Sequence, residues 1–341
     1  MPAQCNASAN SSAIRVPTRE LLGAQGWLIG TENRGLNHMF TFINTSRVGT
    51  AVQGVAAAEL AFQNSLWYCK DRRSMRALSG AKDVEFVADA IIHHPSVRTI
   101  LRDLSRSYAI SHDRPRSPTI AHDRPRSPTI AHDLLRSPAI SRDLPLHSKV
   151  RTMLLFQKAV SEGGRSMVYE CAKYADKMQD CELEGDEAGA KVIDERLAFL
   201  TPILKGFLTE VGKEAADLGI QAYGGHGYIK DNKAEQVYRD VRIAALWEGT
   251  TQIQALDLLG RKIMLQKLKP IAEHCADVRG LCSPHLLSSD AGLRRRAWSL
   301  LGHTLEWQYL TYRVAMRTAS DREWISSASV DYLMYSGWVA L

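Results

Sequence analysis

Hydrophobic residues recur at helical spacing along most of this chain. Between Leu36 and Cys69 the apolar positions return every three or four residues, which is typical of one face of a helix. The same pattern predicts further helices over 151–179, 186–222, 232–243, 250–266, 290–318 and 327–341. No segment shows convincing alternation of apolar and polar residues, the pattern of a half-buried strand. Long helices joined by short loops predict an all-α fold, an antiparallel (up-down) helical bundle.

A decapeptide repeat interrupts this pattern. Four copies follow one another from Arg106, and they read RSYAISHDRP, RSPTIAHDRP, RSPTIAHDLL and RSPAISRDLP. Their prolines oppose both a long helix and a central strand, and each unit has too few Ile and Leu residues to build a core. Val-Arg-Thr occurs on both sides, at 97–99 and 150–152, so we interpret 97–149 as a disordered insertion into an older loop. The alternative is a docking or phosphorylation segment, because Ser-Pro recurs within it.

Composition excludes several classes of function. The net charge of +6 suggests a nucleic-acid partner, but residues 106–145 hold seven Arg and four Asp and so account for half of it. The rest is spread along the chain and implies no basic face, so we expect no nucleic acid. No apolar run reaches the ~20 residues of a membrane span, so we expect none. The six cysteines have no zinc spacing, which predicts no metal site and thiols in a reducing compartment, either mitochondrial matrix or cytoplasm.

Two stretches with candidate chemistry flank the first predicted helix. Before and at its start lie Gly26-Trp27-Leu28-Ile29-Gly30 and, further on, Asn44 and Arg47. At its C-terminal end the heptapeptide 70–76, KDRRSMR, carries four cations. Cations there favour the helix dipole, and they are also able to hold a phosphate, so the residues alone leave both interpretations open.

A glycine-rich stretch follows the helix predicted over 186–222. Residues 221–228 read QAYGGHGY, with three glycines within four positions. A helix end needs only one glycine, whereas several let the backbone approach a ligand and present amides to an anion. This excess favours a cofactor contact about as much as a plain helix end.

A short motif with a single carboxylate, WEGTTQIQ, occupies residues 247–254. Glu248 follows an apolar run, and a carboxylate packed against apolar groups is desolvated and becomes a stronger base. Gly249 gives freedom at a turn, and Thr250 is able to cap the next helix. The alternative is a glutamate at a helix start, stabilised by the helix dipole.

Together these four stretches resemble the C-terminal bundle of the acyl-CoA dehydrogenase family, over about 26–96 and 150–265. The resemblance implies an FAD-dependent enzyme that removes hydrogen from the α and β carbons of an acyl-CoA thioester. Glu248 matches the family's catalytic base, which takes the α-proton while the hydride passes to the flavin. The positions that match FAD contacts, some of them to the flavin of a neighbouring subunit, are Arg72, Ser74, Gln221, Gly224, Gly225, Thr250 and Gln252. Those that match the acyl-CoA site are Asn44, where the family often has Asp, Arg47 and Gly249.

The resemblance also implies partners and a domain plan. The partners are a second copy of the chain, in a homodimer or tetramer, and an electron-transfer flavoprotein or similar acceptor. Residues 76–82 and 90–95 resemble one branch of the family, which has an extra C-terminal helical domain and includes enzymes for fatty acyl-CoA and 3-methylthiopropanoyl-CoA. We therefore expect a disordered leader at 1–25, the bundle at 26–96 and 150–266, and a truncated helical extension at 267–341.

Only 25 residues precede Gly26, so we expect an incomplete chain. Two functions then stand: an acyl-CoA dehydrogenase, or a non-catalytic helical oligomerisation fragment derived from that family. The sequence gives no acyl chain length.

Overall fold

The computed structural model describes residues 13–15, 25–27, 31, 33–77, 80–93 and 149–341. The α-helices in these residues are α1 Gly35–Asp71, α2 Lys149–Glu184, α3 Glu187–Tyr223, α4 Gly225–Tyr228, α5 Ala234–Arg242, α6 Thr251–Leu256, α7 Lys269–Cys282, α8 Ala291–Ser320 and α9 Glu323–Ala340. Short 3₁₀ turns lie at Ile91–His93, Lys230–Asn232, Ile243–Ala245 and Ser283–His285, and a π-helix spans Asp257–Met264. The predicted all-α fold is confirmed.

The chain divides into two compact units. The first, Met1–Ser46, holds the antiparallel strands β1 (Ala13–Arg15) and β2 (Gln25–Trp27) and the first turns of α1. Strands of three residues are too short to show a period of two, so the sequence did not reveal them. β1 lies in the segment expected to be a leader. Of the expected insertion, residues 97–148 lie outside the described residues. The domain boundaries therefore stay predictions.

The second unit, Arg47–Leu341, is built on three long helices. Gly185 and Asp186 join α2 to α3, and Asp186 caps α3 by accepting a hydrogen bond from the Gly189 amide at 2.9 Å. α1 runs parallel to α3, because two contacts between them advance together along both helices. Gly54 lies against Leu208, and further along both helices Tyr68 stacks on Tyr223. A Cβ on Gly54 would lie 2.2 Å from the Leu208 carbonyl oxygen, so glycine permits this close approach.

α3 is the central helix of this unit. Residues 197–209 are all buried, as expected of a helix surrounded by other helices on every side. The core continues from α3 into the C-terminal helices, where Leu258, Trp307 and Leu333 are fully buried. Among the described helices, none combines the length and the apolar character that crossing a bilayer requires.

Candidate active site

The turn between the 3₁₀ segment at 243–245 and α6 carries Glu248, and α1 and α3 lie against it. The hydroxyl of Thr50 on α1 donates to Glu248 Oε2 at 2.5 Å. Ala244 and Ala245 anchor the preceding segment in the core. The carboxylate of Glu248 is thereby held by a contact between residues 198 positions apart in the sequence.

The backbone of this turn is left-handed at two successive residues. Glu248 has φ of 53° and Gly249 has φ of 95°. The side-chain amide of Gln254 donates to the Glu248 carbonyl at 3.1 Å, and Lys205 Nζ donates to the Gly249 carbonyl at 2.5 Å. A Cβ on Gly249 would lie 2.6 Å from Gln254 Nε2, so this position requires glycine for space as well as for conformation.

Lys205 brings a positive charge into the centre of the protein. Its side chain extends from the fully buried part of α3, and the residue is 0% exposed. Burial lowers the pKa of Lys205 to about 8; the nearby charge of Arg47 acts in the same direction, whereas Glu248 and Glu210 oppose it. Near pH 8 the amino group of Lys205, which lies close to Glu248, is therefore partly deprotonated.

The residues that follow Glu248 anchor the turn to α6 and α9. Thr250 caps α6, since its hydroxyl accepts a hydrogen bond from the Ile253 amide at 3.4 Å, and this confirms the predicted cap. Gln252 Nε2 donates to the hydroxyl of Ser329 on α9 at 3.2 Å. The C-terminal helix thus supports the motif directly.

The apolar run before Glu248 is less enclosed than the sequence suggested. Ile243, Leu246 and Trp247 are 48%, 47% and 45% exposed. Two polar groups act on the Glu248 side chain, namely the Thr50 hydroxyl and the charge of Lys205. Polar groups therefore contribute to holding the carboxylate.

Arg47, one turn before Thr50 on α1, forms a buried ion pair. Its Nη1 lies 3.3 Å from Asp257 Oδ2, and the two side chains are 6% and 5% exposed. Arg47 Nε is buried without a hydrogen-bond partner in the described residues. Arg47 is therefore engaged with the start of the π-helix. The side chain of Asn44 lies outside the described residues, so its role stays a prediction.

The cations at the end of α1 divide into paired and exposed groups. Arg73 and Arg76 bind Asp83 and Asp89 at 2.6 and 3.2 Å. Asp89 is fully buried, and hydrogen bonds from backbone amides, first that of Ala77, hold the pKa of its carboxyl well below the usual range. These pairs shape the loop after α1. Arg72 stays exposed and joins none of the ion pairs recorded for the described residues.

The glycine-rich stretch lies beside this loop, because Tyr223 at the end of α3 stacks on Tyr68 with ring centroids 4.1 Å apart. Gly224 has φ of 60° and ψ of −139°, and it ends α3. A Cβ at Gly224 or Gly225 would meet no atom within 4 Å, and Gln221 is exposed. These backbone positions are therefore open to a ligand.

The candidate residues consequently form two groups, one beside the middle of α1 and α3 and one at the C-terminal ends of both helices. Glu248, with Thr250 and Gln252 after it, lies near Thr50. Arg72, Ser74, Gln221, Gly224 and Gly225 lie near the C-terminal ends of both helices. The rise of α1 from Thr50 to Asp71 separates the groups by about 30 Å, at about 1.5 Å per residue.

Comparison with known proteins places the chain in a family. Residues 130–264 match the family model described as acyl-CoA dehydrogenase, C-terminal domain. A relative from that family is 34% identical over 71% of this chain. The chain therefore belongs to the acyl-CoA dehydrogenase family. The resemblance predicted from the four stretches is thus confirmed. The family match begins inside the segment interpreted as an insertion, 97–149, whose limits stay predictions.

Curated relatives of this chain are longer than the chain itself. The 3-methylmercaptopropionyl-CoA dehydrogenase of Ruegeria pomeroyi is 34% identical over 242 residues, which cover 71% of this chain and 31% of that protein. The broad-specificity linear acyl-CoA dehydrogenase FadE5 of Mycobacterium tuberculosis is 27% identical over 72% of this chain and 31% of its own length. The caffeyl-CoA reductase-Etf complex subunit CarC of Acetobacterium woodii is 29% identical over 29% of this chain and 22% of its own length. The chain spans about a third of the length of the first two relatives.

Solved structures share the fold. ACDH-11 of Caenorhabditis elegans, in complex with C11-CoA, has a TM-score of 0.58 and 18% identity, over 93% of this chain and 42% of that chain. The acyl-CoA dehydrogenase of Bacillus anthracis, complexed with FAD, has a TM-score of 0.57 and 18% identity, over 91% of this chain and 43% of that chain. At these identities the likeness shows the fold alone.

Sequence reasoning missed three residues that hold the Glu248 turn: Thr50, Lys205 and Gln254. Lys205 did leave a signal, because it is a single cation within the apolar run Ile203-Leu204-Lys205-Gly206-Phe207-Leu208. Thr50 left none, since a threonine on a helix of this composition is ordinary.

Proposed function

We propose that this chain carries the catalytic-base part of an FAD-dependent acyl-CoA dehydrogenase, in which Glu248 removes the α-proton of an acyl-CoA thioester. The observation that supports the proposal most directly is the fixed turn at Glu248. Its two left-handed residues have both carbonyls bound by buried side chains, and the Thr50 hydroxyl holds the carboxylate. Such restraint is what a general base needs to reach a proton at hydrogen-bond distance.

Each side chain of the turn has a stated part in this proposal. Thr50 orients the carboxylate of Glu248 by donating to Oε2. Lys205 contributes a positive charge beside it. Gly249 lets the backbone pass without a side chain in the space taken by Gln254.

The residues present are compatible with FAD as the cofactor, which when bound would accept the β-hydride. Arg72 offers an exposed guanidinium, the fork that suits a phosphate. Gly224 and Gly225 offer backbone that no side chain covers. We propose that Arg72, Ser74, Gln221, Gly224 and Gly225 hold one flavin, that Thr250 and Gln252 contact another, and that Asn44, Arg47 and Gly249 border the acyl-CoA site.

The proposal also covers assembly and electron transfer. Because the two groups of candidate residues lie about 30 Å apart on one chain, a site that uses both groups needs a second copy, in a homodimer or tetramer. An electron-transfer flavoprotein or similar acceptor would then take the electrons onward.

The test is flavin binding and its response to substrate. We expect the purified full chain to retain FAD and to lose its blue-light absorbance when acyl-CoA is added. Glu248→Gln should keep the flavin and abolish the bleaching, whereas Glu273→Gln on the exposed side of α7 should change neither. A chain that binds no flavin at any concentration tested, or bleaching that survives Glu248→Gln, contradicts the proposal.

A second candidate, a helical oligomerisation module without catalysis, has one observation in its favour. α8 exposes an apolar stripe in which five large side chains, spaced mostly three or four residues apart, are each 50–59% exposed: Trp298, Leu305, Tyr309, Tyr312 and Met316. A stripe of this spacing is able to pack against another helix. A colourless oligomer that dissociates when Tyr309→Lys is introduced would support this second function over the first.

A further inference from the structure

Lys205 occupies a position where a lysine is costly. It lies in the all-buried segment of α3, is 0% exposed, and interacts with the charges of two carboxylates and one guanidinium. Burying an ammonium group is unfavourable unless partners compensate for the lost water. A lysine buried at such a cost is expected to have a specific role, and its contacts indicate what that role is.

Its hydrogen bond goes to the backbone of the Glu248 turn. Lys205 Nζ donates to the Gly249 carbonyl at 2.5 Å, 44 residues away in sequence. The turn contains a non-glycine residue, Glu248, at φ of 53°. Left-handed backbone is unfavourable for a residue other than glycine, so it persists only where neighbouring groups enforce it. Lys205 and Gln254 are the two buried side chains that bind the carbonyls of this turn.

The charges around Lys205 connect it to the same carboxylate. Glu248, from the turn, and Glu210, one turn further along α3, favour its ammonium form, while Arg47, from α1, and burial oppose it. Lys205 therefore contacts the turn through a hydrogen bond and interacts with the carboxylate through its charge. A lysine that only donated a hydrogen bond to a buried carbonyl would not also interact with the Glu248 carboxylate through its charge.

We propose that Lys205 is a positioning residue for Glu248: by holding the Gly249 carbonyl it fixes the left-handed turn that directs the carboxylate. The inference rests on the proposed function for its catalytic consequence, whereas the positioning itself is a property of the chain alone. Lys205→Met removes the donor and the charge and keeps a long apolar chain. Lys191→Met, at an exposed position of the same helix, is the matched control.

The first measurement needs no flavin. Hydrogen exchange, followed by mass spectrometry on the full chain, reports the protection of the amides in 246–256. We expect Lys205→Met to speed exchange there by at least about fivefold, while Lys191→Met stays within about twofold of the original chain. Unchanged exchange in Lys205→Met overturns the inference, whether or not the chain proves to be a dehydrogenase.

The second measurement separates positioning from a general structural role. In flavin-loaded protein, we expect Lys205→Met to lower kcat at least about tenfold, with KM and flavin content within about threefold. Added to Glu248→Gln, it should cause no further loss, because both changes remove the same oriented carboxylate. Faster exchange with an unchanged kcat would show a lysine that stabilises the turn without serving the base, and this would falsify the inference. If the original chain shows no turnover, the proposed function fails and the exchange measurement alone decides.

Discussion

The buried ion pair between Arg47 and Asp257 provides a direct test of how α1 is fixed against the π-helix. The variants are Asp257→Leu, Arg47→Met and the double change. Because Thr50 follows Arg47 by one turn of α1, this pair also determines where the hydroxyl that holds Glu248 lies. Breaking the pair should therefore destabilise the fold and loosen the site together.

The structure predicts that the two single changes differ. Asp257→Leu leaves the Arg47 guanidinium buried with one nitrogen already unpartnered and the charge of Lys205 nearby, so it should cost about 3–5 kcal/mol. Arg47→Met leaves Asp257 with a second cation, since Arg261 Nε lies 2.8 Å from its Oδ1, so the loss should be about 1–3 kcal/mol. The double change replaces both charges with apolar groups and should lie within about 1 kcal/mol of the original chain.

Urea unfolding at low salt, followed by far-UV circular dichroism, measures these free energies. The exposed pair Lys269–Glu195, whose side chains are 61% and 52% exposed, is the control, and Lys269→Met should cost less than about 1 kcal/mol. Equal losses for the two single variants at Arg47 and Asp257, or a double variant whose loss is their sum, would refute this reasoning. In that case the pair would behave as two independent surface charges.

Three further changes test the packing and the buried charge. Gly54→Ala should destabilise the chain by about 1–3 kcal/mol in thermal or urea unfolding, because its Cβ would enter the backbone of α3. The control is Gly49→Ala on the same helix, whose Cβ would meet nothing within 4 Å and which should be neutral or stabilising. Gly337→Ala should cost a similar amount, since its Cβ would lie 2.1 Å from the ring of Phe207; a neutral result would show that α9 has room to move. Because the pKa of Lys205 is lowered from 10.5 to about 8 in the folded chain, the unfolded chain binds more protons between these pH values. The stability of the original chain relative to Lys205→Met should therefore rise with pH across that window in urea unfolding at several pH values, and a fall would contradict the lowered pKa.

The helices and the motif were open to prediction because their signals are local. Apolar spacing within one segment predicted α1, α2 and α3 to within a few residues of their observed ends. Gly224 as a helix end and Thr250 as a cap follow from the conformations that these residue types favour, and both are observed. Such features need only a few neighbouring residues, and those are visible in the sequence.

The network around Glu248 was not predictable in the same way because its contacts join distant segments. Arg47 and Asp257 are 210 residues apart, and nothing in either neighbourhood indicates the other. The cations after α1 illustrate the same limit. Arg72 and Arg73 are adjacent and alike, yet among the described residues only Arg73 forms an ion pair, because the loop brings Asp83 next to it. Periodicity predicts which face of a helix is buried, but the partner of a buried polar group depends on how the helices pack.

The separation of the candidate residues into two groups leads to a last prediction. Thr50, which binds Glu248, and Asp71, which precedes Arg72, lie about 30 Å apart along α1. If a flavin site takes Glu248 from one copy and Arg72 from another, each chain contributes to two sites. Arg72→Glu and Glu248→Gln chains should then each be inactive alone, but a mixed dimer pairs an intact Glu248 from one chain with an intact Arg72 from the other.

Random pairing of the two variants makes half of the dimers mixed, and a two-fold dimer has two equivalent sites, one of which is restored. Co-expressed or co-refolded chains should therefore recover about a quarter of the activity of the original protein, measured as acyl-CoA-dependent bleaching of the flavin. Mixing Glu248→Gln with Lys205→Met should recover nothing, because both changes affect the same group of residues in their own chain. Absence of recovery in the first mixture would mean that Arg72 and Glu248 do not serve one flavin site from different copies. Recovery in the second mixture would mean that Lys205 and Glu248 act in different sites.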